Sequence, residues 1–168
     1  MLLLGSGLVA GPAVATPAPA QESTVDHSGE DGDVTATRTE TPTGRIGQSV
    51  SLVTRADIER TQAVTAADIL ARLPGVTFTQ SGGFGQPASV FIRGAENAQS
   101  LVLIDGVRVN DPGDVGGGFD FGSLTVGQFD RIEVVRGSSG VLWGSRAIGG
   151  VVNLITARPT DEWTARGQ

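Results

Sequence analysis

The sequence predicts an α+β domain, a small mixed β-sheet with short helices and long Gly-rich loops. Three observations predict it. Apolar, β-branched runs of four to six residues recur between Gly or polar clusters, as short strands do. Two Thr-x-x-Asp sequences stand where a capping box would start a helix. Gly makes up 25 of 168 residues, about twice its usual ~7% share, so the chain turns often and packs on bare backbone.

The elements follow in order. Around Ser51 to Arg60, Thr54 caps a helix and Asp57 returns the bond three residues on. Thr65-Ala66-Ala67-Asp68 repeats the device, and the second helix carries Ile69, Leu70 and Leu73 on one face. It stops at Pro74-Gly75, where Pro breaks the ladder and Gly permits a reversed backbone. Strands are predicted over Val76 to Thr79, Ser89 to Arg93 and Leu101 to Ile104. Asp105-Gly106, between Ile104 and Val107, signals a tight hairpin because both turn positions tolerate positive φ. Asn110 to Gly122 holds five Gly, two Phe and three Asp without periodicity and reads as a long exposed loop. A short helical turn near Leu124 to Phe129 leads into a strand at Arg131 to Arg136. Another turn runs through Val141, Leu142 and Trp143, and Val151 to Thr156 is the last strand.

Composition excludes several functions. The chain has 12 Arg, no Lys and 18 acids, a formal charge of −6, and no basic run, so it offers nucleic acid no electrostatic footprint. Without Cys there is no disulfide, thiolate nucleophile or Cys-based metal site. A single His, His27 in a polar stretch, leaves little for general-base chemistry, and no cofactor is implied. An enzyme would need a nucleophile–base pair or a metal cluster that the sequence does not display. Asp111, Asp114 and Asp120 lack EF-hand spacing and read as a solvated loop rather than a Ca²⁺ site.

The amino end reads as an export signal over residues 1–20. Leu2 to Ala15 is apolar or small, too short to cross a bilayer, and Ala18-Pro19-Ala20 suits a signal peptidase. No Lys or Arg precedes Arg38, so the usual positive start is missing. Residues 21–45 are mostly Glu, Asp, Ser, Thr, Gly and Pro, too polar to offset their ordering entropy, and are expected to form a flexible arm. Val34-Thr35-Ala36-Thr37 interrupts it with a short β-prone patch, which is also consistent with an accident of a Thr-rich linker.

Five motifs carry a resemblance. Asp68-Ile69-Leu70 with Leu73-Pro74-Gly75-Val76, Phe91-Ile92-Arg93-Gly94, Val102-Leu103-Ile104-Asp105-Gly106-Val107-Arg108, Arg131-Ile132-Glu133-Val134-Val135-Arg136-Gly137, and Gly144-Ser145-Arg146-Ala147-Ile148-Gly149-Gly150-Val151-Val152-Asn153 resemble, in order, the signatures of the plug domain of TonB-dependent outer-membrane receptors. The likeness spans Ile46 to Arg158. Within the family, Gln80-Ser81-Gly82-Gly83-Phe84-Gly85-Gln86 followed by Phe91-Ile92-Arg93-Gly94 is most similar to the cobalamin-transporting branch. The resemblance implies a plug seated in a β-barrel of about 22 strands in the cell outer membrane. Such a barrel needs ~220 residues, and only eight residues follow Thr160. Residues 159–168, with Trp163 to Arg166, are therefore expected to begin a barrel that the sequence does not contain.

The resemblance also assigns sites. The energy-coupling segment, the TonB box, pairs as an added strand with periplasmic TonB, driven by the inner-membrane ExbB/ExbD complex; here its candidate is Asp33, Val34, Thr35, Ala36 and Thr37. Substrate, cobalamin or a ferric siderophore, is expected at two outward loops. The candidate contacts are Phe84, Gln86, Pro87, Ala88 and Ser89 with Asn110, Val115, Gly116, Gly117 and Gly118, although the Gly residues are also explained by turns alone. Arg93 and Arg136, each before a Gly at a strand end, are candidates to latch the plug to barrel acids. Intra-domain pairing, with Glu133 bonded to Arg131 or Arg136, is the alternative. The implied function is a transport gate that takes in a scarce large nutrient; a free-standing secreted binding module is the competing reading.

Overall fold

A computed structural model of the chain describes residues 32–111, 113 and 116–158. The signal-peptide expectation, the barrel start at 159–168, Asp114 and Val115 lie outside the described residues. Nine strands and three short α-helices are present among those described. A five-stranded mixed sheet forms the centre in the order β3-β8-β9-β6-β7. Its strands are β3 (Ser49–Val53), β6 (Ser100–Ile104), β7 (Val107–Arg108), β8 (Phe129–Arg136) and β9 (Gly150–Thr156). Only β6 and β9 pair in parallel. A separate hairpin joins β4 (Val76–Gln80) and β5 (Ala88–Ile92), and β1 (Asp33–Val34) pairs with β2 (Thr41–Pro42).

Local chemistry sets the elements. Helix α1 (Arg55–Thr61) starts at Thr54, whose N–H donates to Asp57 Oδ2 at 3.0 Å while its hydroxyl accepts from the Asp57 N–H. Helix α2 (Ala66–Leu70) repeats the box with Thr65 and Asp68. The turn beyond α2 passes through Gly75 at φ +73°, and Asp105 and Gly106 take φ of 50° and 79° in the tight β6–β7 hairpin. The last helix, α3 (Gly140–Trp143), is a single turn. The structure differs from the sequence reading at Ser49–Val53, which is a strand paired to β8 rather than the onset of α1. The expectation rested on the Thr54–Asp57 capping box, which fixes where the helix starts but says nothing of the residues before it, and the two serines leave the strand without a continuous apolar run.

Period-two alternation gives the sheet two apolar faces. Val102, Ile132, Val134, Val152 and Leu154 join one cluster with both longer helices and the β4–β5 hairpin. Leu101, Leu103, Val135 and Val151 face the other way and join Ala147, Val34 and Ala36. The second face is therefore covered in part by the arm. Val34 and Ala36 are 0% and 2% exposed, and burial of one Val side chain is worth about 1.5–3 kcal/mol. The folded part thus begins by Asp33, ahead of the Ile46 boundary the sequence suggests, because an otherwise polar stretch carries two side chains that a neighbouring face accepts.

Candidate functional site

The two Gly-rich loops meet. Pro87, Ala88 and Ser89 line a cleft of about 360 Å³ together with Asn97, Asp111 and Phe119. Backbone bonds lace the loops to each other: Gly85 N donates to Gly122 O at 3.0 Å, and Phe121 N donates to Ala88 O at 2.9 Å. Asp120 Oδ1 accepts from both Ala88 N (2.8 Å) and Gly122 N (2.9 Å). Gly122 is required by close approach, since a Cβ there would lie 1.9 Å from Gln86 O. Phe84 is 64% exposed, and Gln86, Pro87 and Gly116 are also exposed.

Several candidate contacts do other work. Asn110 is 7% exposed; its Oδ1 accepts from Val102 N at 2.8 Å, and its Nδ2 donates to Ser100 O and Gly117 O at 3.1 and 3.2 Å. Both ends of the amide are committed to anchoring the loop to β6, so Asn110 frames the cleft rather than reaching into it. The loop is correspondingly not exposed throughout: Gly117, Gly118 and Phe121 are buried. A Cβ at Gly117 would fall 1.9 Å from an Arg146 guanidinium nitrogen, and one at Gly118 would fall 2.5 Å from Asn97 Nδ2. Ala88 is 1% exposed, and its N–H and C=O are spent on Asp120 Oδ1 and Phe121 N. Sequence reasoning missed Asn97, which donates to Ser89 Oγ and Phe119 O and bridges both loops; no motif marks it.

Arg93 and Arg136 come together. Arg136 is 6% exposed, donates to Pro74 O, and its buried Nε has no hydrogen-bond partner among the described residues. Burial, and then the neighbouring Arg93 charge, lowers the Arg136 pKa from its usual value. Arg93 is exposed at φ +52°. A Cβ on Gly75 would lie 3.7 Å from Arg93 Cγ and 3.9 Å from Arg136 Cδ, so the two side chains flank that glycine. Neither forms an ion pair among the described residues: Glu133 pairs with Arg131, at 2.9 Å.

The arm candidate, Asp33 to Thr37, is docked. Thr35 N and Ala36 N each donate to Glu133 Oε2 at 2.9 Å. Trp143 Nε1 donates to Ala36 O at 2.8 Å, and the Arg38 guanidinium stacks 4.5 Å from the Trp143 ring centroid. A second cleft of about 740 Å³ opens beside the arm, lined by Thr35, Arg38, Asp105, Gly106, Trp143 and Arg158 among others. The two clefts lie at the two ends of β6: Asn97 precedes that strand, while Asp105 and Gly106 follow it.

Comparison with known proteins places this arrangement. The TonB-dependent Receptor Plug Domain profile matches residues 42–151. The chain is 46% identical over 123 residues to the vitamin B12 transporter BtuB of Vibrio vulnificus, covering 73% of this chain and 20% of the transporter. The ferripyoverdine receptor of the Pseudomonas aeruginosa outer membrane, bound to ferripyoverdine, superposes with a TM-score of 0.64 at 26% identity, covering 78% of this chain and 17% of that one. The siderophore receptor PiuA from Acinetobacter baumannii gives 0.58 at 28% identity, covering 73% of this chain and 16% of its own. The chain thus spans about a fifth of the length of the transporter it matches. With this order of motifs and this sheet, the chain belongs to the TonB-dependent receptor plug domain family.

Proposed function

We propose that the chain is the gate of an outer-membrane receptor that binds a scarce large nutrient and admits it when TonB, energised by the ExbB/ExbD complex, pulls on the amino-terminal arm. The observation that carries the reading is placement: a loop cleft at one end of β6 and a docked, strand-forming arm at the other. A ligand at the first end and a puller at the second act across one small sheet. The 46% identity to a B12 transporter favours cobalamin over a ferric siderophore as the cargo.

In this reading Phe84, Gln86, Pro87, Ser89 and Gly116 face the ligand, while Ala88, Asn110, Gly117 and Gly118 shape the loops that carry them. Arg93 and Arg136 latch the plug to carboxylates on the barrel of the same receptor. Supporting this, two guanidinium groups stand side by side without an acid among the described residues, and a buried cation is costly until it is paired. Asp33 to Thr37 is the TonB box; Asp33 and Val34 already lie extended in β1, the geometry suited to pairing with a sheet edge. Gating of this kind uses no covalent chemistry, so we assign the chain no catalytic role.

The test uses the receptor encoded by the complete reading frame. Deleting Asp33 to Thr37 is expected to abolish energised uptake of cobalamin while sparing its binding at the cell surface. Unchanged uptake would refute the coupling role.

A further inference from the structure

The docked arm has few main-chain groups left to share. Thr35 N and Ala36 N are both spent on Glu133 Oε2. Thr35 O accepts from Arg38 N at 3.0 Å, Val34 O accepts from the Thr37 hydroxyl at 3.3 Å, and Ala36 O accepts from Trp143 Nε1. Val34 lies opposite Thr41 in β2, while Asp33 lies opposite Pro42, which has no N–H to give it. A segment that adds itself to a partner's sheet edge must present free donors and acceptors. In this arrangement Thr35 and Ala36 present none, so docking here and pairing there are mutually exclusive uses of the same atoms.

One side chain dominates the hold. Glu133 is 0% exposed, set between Ile132 and Val134 in the middle of β8. It accepts two arm N–H groups, the Thr35 hydroxyl at 3.1 Å, and Asn153 Nδ2 at 3.3 Å, and it pairs with Arg131. Asn153, also 0% exposed, donates to Thr35 Oγ1 at 2.9 Å and accepts from Gly106 N at 3.2 Å, tying the carboxylate to the β6–β7 hairpin. Charge-assisted bonds from backbone N–H groups are the stronger kind, and a buried carboxylate left without them is strongly disfavoured.

We propose that Glu133 is a clasp that keeps Asp33 to Thr37 closed against the plug and so sets how often the segment is available to a partner. This rests on reading the segment as the TonB box, and it adds the residue that regulates it. Glu133 is a positioning residue: it acts through the arm's backbone and touches neither cargo nor TonB.

The chain contains no Cys, so a single introduced thiol is an unambiguous reporter. In the intact chain carrying Val34→Cys, the thiol is buried while the arm is docked, and its maleimide labelling rate reports arm opening. Val152→Cys, equally buried but in the opposite-face cluster, reports opening of the whole fold. Adding Glu133→Gln is expected to speed labelling at position 34 by at least about tenfold, the consequence of losing charge-assisted bonds, and to leave position 152 unchanged. Trp143→Phe, which removes the bond to Ala36 O and weakens the Arg38 stack while leaving Glu133 in place, is expected to speed position 34 selectively and by less. Acceleration at both positions alike, or at neither, would overturn the clasp. Labelling involves no TonB, so unchanged uptake after arm deletion would refute the coupling role without touching this result.

Discussion

Replacing Asn110 by Ala separates a structural amide from a ligand-binding one. The substitution removes the acceptor of the Val102 N–H and the donors to Ser100 O and Gly117 O, all within a residue 7% exposed. At about 1 kcal/mol net for each neutral hydrogen bond, plus the cost of leaving a buried N–H unpaired, the loss is about 3–4 kcal/mol. For a domain of this size that corresponds to a fall in Tm of roughly 10 °C. Asn110→Asp is expected to cost at least as much although it keeps an acceptor, because it sets an oxygen against two carbonyls. The assay is urea unfolding followed by tryptophan fluorescence, without ligand. A loss below about 0.5 kcal/mol for Asn110→Ala, the usual range of surface substitutions, would refute the anchoring role and return the amide to the ligand.

Other outcomes follow from the same geometry. Gly122→Ala forces its Cβ onto Gln86 O and is expected to destabilise by about 1–3 kcal/mol and part the two loops, read as unfolding stability and as faster hydrogen exchange at Gly85 N. Burial alone would raise the Asp57 carboxyl, but hydrogen bonds from the Thr54 hydroxyl and N–H, with the Arg60 charge, hold it below the usual carboxylate range. Its folded pKa is depressed, so its contribution is present above the unfolded value of about 3.9 and is lost as pH falls through the folded one; Asp57→Asn should remove that part of the acid unfolding profile. Thr65→Ala removes an α2 cap and should cost about 1 kcal/mol in urea unfolding. Arg93→Gln relieves the like charge beside Arg136 and should not lower the stability of the chain by itself, while in the complete receptor it should lower the urea concentration that dislodges the plug.

What the sequence made legible was local. The capping boxes at Thr54 and Thr65, the reversed backbone at Gly75 and the Asp105-Gly106 turn are each fixed by residues within three or four positions and stand where the sequence puts them, although α2 ends at Leu70 rather than running on to Pro74. The β8 and β9 runs were legible because apolar residues on both faces of a strand demand two covers. What covers the second face was not. Val34 and Ala36 lie in a stretch too polar to fold alone, and their burial depends on a surface built by Leu101, Leu103, Val135, Ala147 and Val151, 65 to 117 positions later. The available signal was Glu133, an acid inside Ile132-Glu133-Val134-Val135 that had to find donors. Sequence reasoning offered it Arg131 or Arg136; the structure gives it Arg131 and adds the arm. Asn110 misled for a similar reason, because an amide at a loop entrance looks the same whether it meets a ligand or its own strand.

The plug account is tested most directly by the distance from the Arg93 and Arg136 guanidinium groups to the nearest carboxylate in a structure of the protein from the complete reading frame. It should place at least one acid from beyond Arg158 within about 4 Å of each arginine, on the wall of a barrel that surrounds residues 42–151. A polypeptide in which both arginines face water, with no barrel around the sheet, would contradict it.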